Sequence, residues 1–155
     1  MSETTERQMA EVVKDVVETS CVDLEGCIRA KIDKTDSSWP PLKPATVAHK
    51  KKIGKEKMLQ VTGLMKMSVD HKVSAGGGEI VGEVGIWDKK VLEYAPSHEF
   101  GTDDGVIPER SFIRSTYDEE IDRISGDAID ILGDAIEGFW TDKPVKTPKT
   151  AKRKA

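Results

Sequence analysis

At 155 residues the chain is long enough for one domain with a modest core. Charged residues make up 34% of it and apolar residues 37%, a balance that favours an elongated protein or one that buries surface in an assembly. No apolar run approaches a membrane span and no charged-then-apolar leader opens the sequence, so we expect neither a membrane protein nor one exported by a standard signal.

The charge is unevenly distributed along the chain, whose formal net charge is −4. Residues 141–155 carry six basic residues and one acid, a net +5, which leaves −9 for residues 1–140. The tail is rich in Lys, Thr and Pro, a composition typical of disorder. We therefore predict a single domain over residues 1–140 and a disordered basic tail over residues 141–155.

The first predicted element is a long helix over residues 5–32, in which apolar residues recur at steps of three and four. Thr5 and Gln8 have the spacing of a capping box. Cys21 and Cys27 lie in this helix about 9 Å apart along its axis, too far for a disulfide between them. We predict two reduced thiols, with a cross-link between subunits as the alternative.

The next stretch, 39–44, contains three prolines and is predicted to be irregular, with Trp39 and Leu42 as its anchors. A short helix is predicted over 45–53, stopped by Gly54. Its run Lys50–Lys52 is compatible with nucleic-acid binding, although a solvated helix end is the interpretation we favour. Thr62 is placed to cap another short helix around Leu64 and Met65.

Alternating apolar residues predict a hairpin from residues 69–74 and 79–87. Gly76–Gly78 provide its turn, because glycine adopts positive φ at little cost. The triple glycine is not a phosphate-binding loop, since no G-x-x-x-x-G-K-[ST] pattern surrounds it.

The last predicted element is a helix over residues 117–140. Thr116 and Glu119 have capping-box spacing. Its apolar stripe comprises Tyr117, Ile121, Ile124, Ala128, Ile131, Ala135 and Phe139, widened by Leu132 and Ile136. The opposite face is acidic, with Arg123 its single basic residue. We favour a solvated face, with the lining of a channel around DNA as the alternative.

Residues 94–114, between the hairpin and this helix, have no regular period but contain three aromatic residues, two glycines and two arginines. A connection of that length is usually functional or disordered, and the aromatic content argues against disorder. We expect the segment to fold back on its own domain or onto a partner.

Five short elements between residues 39 and 114 occur in an order that resembles the bacteriophage virion-morphogenesis or tail-completion family. That family includes tail-completion proteins of Mu-like phages and related neck or head–tail joining proteins. The matching residues are Trp39, Pro41, Leu42 and Thr46; Leu59, Thr62, Gly63, Leu64 and Ser68; Val84 and Gly85; Tyr94, Ala95, His98, Phe100 and Gly101; and Ile107, Pro108, Arg110, Phe112 and Ile113. Ser111 departs from the proline more common there, which weakens the expected rigidity of that turn.

The predicted fold class is α+β, with a small, mostly antiparallel sheet packed by the long N-terminal and C-terminal helices and a long projecting loop. The resemblance implies a structural virion protein at the head–tail junction of a tailed phage, made in the bacterial cytoplasm and acting in tail completion, tail termination or neck assembly. It further implies a ring of identical subunits, with a hexamer as the expected size. Its partners would be other neck, connector and tail-tube proteins, and DNA in the channel, but no membrane.

Aromatic residues and arginine are enriched at interface hot spots, so we assign subunit or partner contacts mainly to the loop. The candidates are Trp39, Tyr94, His98, Phe100, Gly101, Pro108, Arg110, Phe112 and Arg114. We expect Arg110 or Arg114 to pair with an acidic group, on its own domain or on a neighbouring subunit, and Phe112 to fill an apolar pocket.

No enzyme motif, cofactor pattern or metal pattern is found, so no catalytic function and no cofactor are predicted. His98 and Glu99 with Asp103 and Asp104 form a weak alternative metal set, and packing with hydrogen bonds in the loop is the favoured interpretation of His98. The rival function is a nucleic-acid-binding accessory protein that uses the basic tail and Lys50–Lys52.

Overall fold

The computed structural model describes residues 3–60 and 62–141. Within these residues six helices and one two-stranded antiparallel sheet confirm the predicted α+β class. In chain order they are α1 Glu3–Lys34, α2 Pro44–Lys52, α3 Leu64–Met67, β1 Val69–Gly76, β2 Glu79–Ile86, α4 Lys89–Leu92, α5 Ala95–Phe100 and α6 Arg114–Thr141. None of the described helices has the length and apolar character needed to cross a membrane.

The two long helices form where the apolar periodicity predicts them, but their beginnings differ. α1 already includes Glu3, so Thr5 is inside the helix and the predicted capping box with Gln8 is wrong. α6 begins at Arg114, which places Thr116 in the first turn, where its hydroxyl donates to Phe112 O at 2.6 Å. The second predicted capping box is therefore also wrong, because Thr116 bonds the carbonyl four residues before it.

The predicted basic tail is outside the described residues, apart from Thr141, which is the last residue of α6. The described chain divides into two compact units. The first unit contains residues 3–24, 71–84 and 120–141, and the second contains residues 25–60, 62–70 and 85–119. The expectation of one domain over residues 1–140 stays a prediction.

The core of the first unit lies between the N-terminal half of α1 and the C-terminal half of α6. Val12 and Val16 are buried with Ala135, and Ala128, Ile131, Leu132 and Phe139 pack around them. These residues belong to the predicted stripes of the two helices. Ile136, which was predicted to widen the stripe of α6, is exposed instead.

The hairpin of the first unit packs against α1 through a glycine. A Cβ on Gly82 of β2 would come within 2.3 Å of Cys21 Sγ and 2.9 Å of Val17 Cγ1, so only glycine allows this approach. Gly77 and Gly78 have φ of 61° and 83° and form the predicted turn. Cys21 is buried and Cys27 is half-buried, and the two do not form a disulfide with each other, as predicted.

The second unit has its own core, in which Ile28, Ile32, Val69, Val91 and Phe112 are the largest fully buried side chains. They come from α1, β1, α4 and the residues just before α6, so the core joins segments far apart in the chain. Trp39, Leu59, Met65 and Ala95 are also buried in this unit. The anchoring role predicted for Trp39 is confirmed by its burial.

Candidate functional site

The candidate site in the second unit is built around the carboxylate of Glu99, a residue that is only 5% exposed. Oε2 accepts hydrogen bonds from the backbone N–H groups of Phe112 at 2.7 Å and Ile113 at 2.9 Å. Oε1 accepts from the Arg114 N–H at 2.9 Å and from the Ser111 hydroxyl at 2.7 Å. Both oxygens are thus occupied by four donors from one stretch of chain.

This geometry is a helix cap supplied from a distance. The first N–H groups of a helix have no partner within it, and the helix dipole places partial positive charge there. Glu99, presented by α5, provides both the acceptors and the negative charge at the beginning of α6. Burial by itself would raise the pKa of Glu99, but the three N–H groups and the Ser111 hydroxyl outweigh it and hold the pKa below its ordinary value.

Arg110 joins this cap to the proline segment. Its guanidinium is buried and donates from Nε to Pro40 O at 3.0 Å and from Nη2 to Pro41 O at 3.2 Å. Trp39 Nε1 donates to Ser111 O at 3.1 Å, which ties the same segment to the other side of the cap. Each proline has a backbone carbonyl acceptor but no backbone N–H donor, and the buried Arg110 donates hydrogen bonds to two of these carbonyl oxygens.

The sequence predicts that Arg110 or Arg114 pairs with an acidic group. Arg110 does not do so within its unit, because the acceptors that its guanidinium reaches are the carbonyl oxygens of Pro40 and Pro41. Desolvation by burial lowers the pKa of Arg110. Arg114 is the arginine that forms an ion pair, with Glu109 of its own unit. The other part of the prediction is confirmed: Phe112 is 0% exposed and fills an apolar pocket.

His98 lies beside Arg110 and is partly buried. Its carbonyl accepts the Arg110 N–H at 2.7 Å, and its ring meets the Tyr94 ring edge-on with centroids 6.4 Å apart. Its Nδ1 is buried and has no hydrogen-bond partner among the described residues. Burial first, and then the charges of Arg110 and Lys50, lower the pKa of His98, so the neutral ring is favoured.

A second buried cation is Lys50 in α2. Its ammonium donates to Lys57 O at 2.7 Å and Gln60 O at 2.9 Å, with Lys55 O at 3.5 Å. Desolvation by burial lowers the pKa of Lys50. The predicted solvated run Lys50–Lys52 is thus wrong for its first member, which closes the following loop onto α2, and only Lys51 and Lys52 remain exposed.

A tight turn joins α5 to Arg110. Gly101 has φ 74° and ψ −179°, and a Cβ there would come within 2.9 Å of Glu109 N. Thr102 N–H donates to Ile107 O at 2.9 Å, and Asp104 accepts from the Thr102 hydroxyl at 2.6 Å. This turn folds the segment 94–114 back on its own unit, which was one of the two predicted alternatives.

The outer side of the site carries exposed aromatic and cationic groups. Phe100 is 63% exposed, and the Arg114 guanidinium carbon lies 5.8 Å from the centre of its ring. Tyr94 is 37% exposed, and partial desolvation of its side chain, with the charge of Asp88, raises the pKa of Tyr94. Pro108 is half-buried in the turn.

The nine residues predicted as interface thus fall into two groups. Trp39, Arg110 and Phe112 are buried and hold the second unit together, whereas Tyr94, Phe100 and Arg114 present surface to solvent. His98, Gly101 and Pro108 are intermediate and shape the segment between them. The assignment of these residues to a subunit interface stays a prediction.

Sequence reasoning missed the roles of Glu99 and Lys50. A glutamate inside a helical turn is normally exposed, and its four donors come 12 to 15 residues later. The weak metal set is not assembled, because Glu99 is bound by amides and Asp104 by Thr102 and the Val106 N–H. The single signal available in the sequence was the position of an acidic residue, Glu99, between the two aromatic residues His98 and Phe100.

Comparisons with models of protein families, with curated proteins and with solved structures find no match to this chain.

Proposed function

We propose that this chain is a structural virion protein of a tailed bacteriophage that works at the head–tail junction as a ring of identical subunits. The observation that carries the proposal is that sequence elements resembling the tail-completion family meet around one site. Trp39, the His98–Gly101 segment and the Pro108–Phe112 segment are joined by the hydrogen bonds of Glu99 and Arg110.

The site supports a binding role. Its three buried charged side chains are held mainly by backbone partners: Glu99 accepts from N–H groups, and Arg110 and Lys50 donate to carbonyl oxygens. Its exposed edge consists of Phe100, Tyr94 and Arg114. Tyrosine and arginine are residue types enriched at interface hot spots, and aromatic residues in general are enriched at interfaces. A rigid scaffold reduces the entropy lost when such an edge binds a partner.

The first test is location. Tailed particles are purified from the host that produces them and imaged by electron cryomicroscopy, in parallel with particles made after inactivation of the gene. We expect density for the chain at the neck or at the head-proximal end of the tail, and separate heads and tails without it. Infectious particles that form normally without the chain would refute the proposal.

The second test concerns the exposed edge. Phe100→Ala should reduce ring formation, measured by mass photometry, while the melting temperature of the monomer stays near that of wild type. Val81→Ala is the matched control, because Val81 is an exposed apolar residue of β2, outside the site. If both variants form rings as well as wild type, the edge is not a subunit contact.

A further inference from the structure

α6 carries a second apolar stripe, which residues 3–60 and 62–141 leave uncovered. We call it the α6 seam: Gly126, Ile129, Gly133, Ile136 and Trp140, all exposed, with Ile129 67% and Trp140 79% accessible. The steps between them are three, four, three and four residues. This is the spacing of the contact positions of two helices packed side by side.

The seam is separate from the stripe that forms the core of the first unit. Ile131, Ala135 and Phe139 face Val12 and Val16 of α1, and none of them is a seam residue. A solvated helix face is expected to be polar, so exposed isoleucines and a tryptophan in register need another explanation. Contiguous exposed apolar surface of this kind marks an interaction site.

The glycines of the seam point to a close neighbour. Each costs up to about 1 kcal/mol relative to alanine in a helix. A Cβ on Gly126 or Gly133 would meet no atom of the described chain within 4 Å beyond its immediate surroundings, so nothing within the chain requires glycine there. Glycine at alternate contact positions allows another backbone to approach closely.

Charge defines what kind of neighbour fits. Asp130 and Glu137 follow Gly126 and Gly133 by four residues, so they flank the seam, and both are exposed. Asp122 extends the seam by one more turn toward the start of α6. An occupant must combine apolar side chains with positive charge, and a second α6 seam would instead bring like charges together.

The chain itself provides such a surface on α2. We call it the α2 surface: it comprises the exposed Val47, Lys51 and Lys52 of α2 and the exposed Ile53 and Lys55 that follow its last residue. It is short, basic and apolar, the complement of an acidic and apolar seam. Because two different surfaces would meet, the contact is heterologous, and such contacts form closed rings when the rotation closes.

We propose that the α6 seam of one copy of this chain binds the α2 surface of a second copy. The inference rests on the proposed ring and assigns to it a subunit contact in addition to the exposed edge at Phe100. Lys51 and Lys52 then lie against Asp130 and Glu137, while Ile129, Ile136 and Trp140 cover Val47 and Ile53.

The test is a charge exchange in the full-length chain. One variant carries Asp130→Lys with Glu137→Lys, a second carries Lys51→Glu with Lys52→Glu, and a third carries all four changes. Each double variant opposes like charges, so its assembly should weaken by about tenfold or more in the dissociation constant. The third variant, with all four changes, restores opposite charges and should assemble again, as measured by mass photometry and sedimentation velocity.

All changed residues are exposed, so circular dichroism and melting temperature should show folded monomers in each case. Ile129→Ser should also abolish assembly, whereas Val81→Ser, on an exposed valine of β2, should leave it intact. If Asp130→Lys with Glu137→Lys assembles like wild type, or if wild type stays monomeric at its highest soluble concentration, the inference is overturned.

Other occupants give other results. If the variant Asp130→Lys with Glu137→Lys does not assemble and the variant with all four changes does not assemble either, the seam does not bind the α2 surface. If deletion of residues 142–155 abolishes assembly and the α2 variant does not, the basic tail of a neighbour covers the seam. Both outcomes contradict the inference but not the proposed virion role. If instead the charge-exchange variants behave as expected but the chain is absent from purified particles, only the virion role is contradicted.

Discussion

At the scale of single residues, the buried Glu99 and the partly buried His98 have shifted pKa values that make the stability of the fold depend on pH. Glu99 is held as a carboxylate by backbone N–H groups, and His98 is held neutral by burial and by nearby positive charges. The two shifts affect stability in different pH ranges, because the ordinary pKa values are 4.5 and 6.5. Stability in each range can therefore be assigned to one side chain by substitution.

Glu99→Gln should destabilise the fold by about 2 kcal/mol, since an amide offers one acceptor oxygen where four donors meet. The folded pKa of Glu99 is lowered, so its contribution is complete above pH 4.5 and is lost as the pH falls through the folded value. The difference from wild type in chemical denaturation should thus narrow in acid. Glu109→Gln is the exposed control and should change stability by less than about 1 kcal/mol.

His98→Gln should flatten the dependence of stability on pH below neutrality. The folded pKa of His98 is lowered, so the unfolded chain takes up a proton first as the pH falls below 6.5, and wild type loses stability there. Urea denaturation midpoints from about pH 7.5 to 5 measure this slope. An unchanged slope in His98→Gln would show that another group is responsible.

At the scale of elements, the positions of α5 and α6 depend on the turn between them. Glu99 at the end of α5 caps α6, and the chain must reverse within the ten residues from Gly101 to Arg110. Gly101 makes this possible with a backbone conformation that is essentially restricted to glycine. Its close approach to Glu109 leaves no room for a side chain.

Gly101→Ala should therefore cost at least about 2 kcal/mol, from backbone strain and from the contact with Glu109 N. Gly105→Ala in the same turn is the matched control: its φ is 67°, but a Cβ there would have open space, so only about 1 kcal/mol is expected. Thermal melting of the two variants measures the difference. Equal losses would mean that the approach to Glu109 contributes nothing.

At the scale of the whole molecule, each compact unit has its own core, and the exposed apolar groups lie outside both cores. Phe112 and Phe100 show the contrast within the second unit. Both belong to the segment 94–114, but one is fully buried and the other mostly exposed. Removal of the two rings should therefore affect different properties of the molecule.

Phe112→Ala should lower the free energy of unfolding by about 3 kcal/mol or more, because a fully buried ring leaves a cavity. Phe100→Ala should change it by no more than about 0.5 kcal/mol. Guanidinium denaturation of the two monomeric variants measures both changes in the free energy of unfolding. A large loss in Phe100→Ala would mean that its ring and the Arg114 guanidinium stabilise the fold itself.

Local patterns determined the regular elements. Apolar residues at steps of three and four predicted both long helices, and alternation with a glycine turn predicted the hairpin. These signals are contained in neighbouring residues, so they can be identified without a structure. The short helices α4 and α5 were missed, since four and six residues are too few to show a period; α3 is as short as α4, but Thr62 indicated its beginning.

Only the tertiary structure decided how the loop is held and which apolar face of α6 remains open. The partners of Glu99 lie 12 to 15 residues away and those of Arg110 about 70, and no local spacing encodes such pairs. For the same reason Lys50 was counted as solvated and Ile136 as buried. Sequence determines which residues a helix aligns on one face, but burial depends on which other segment packs against that face.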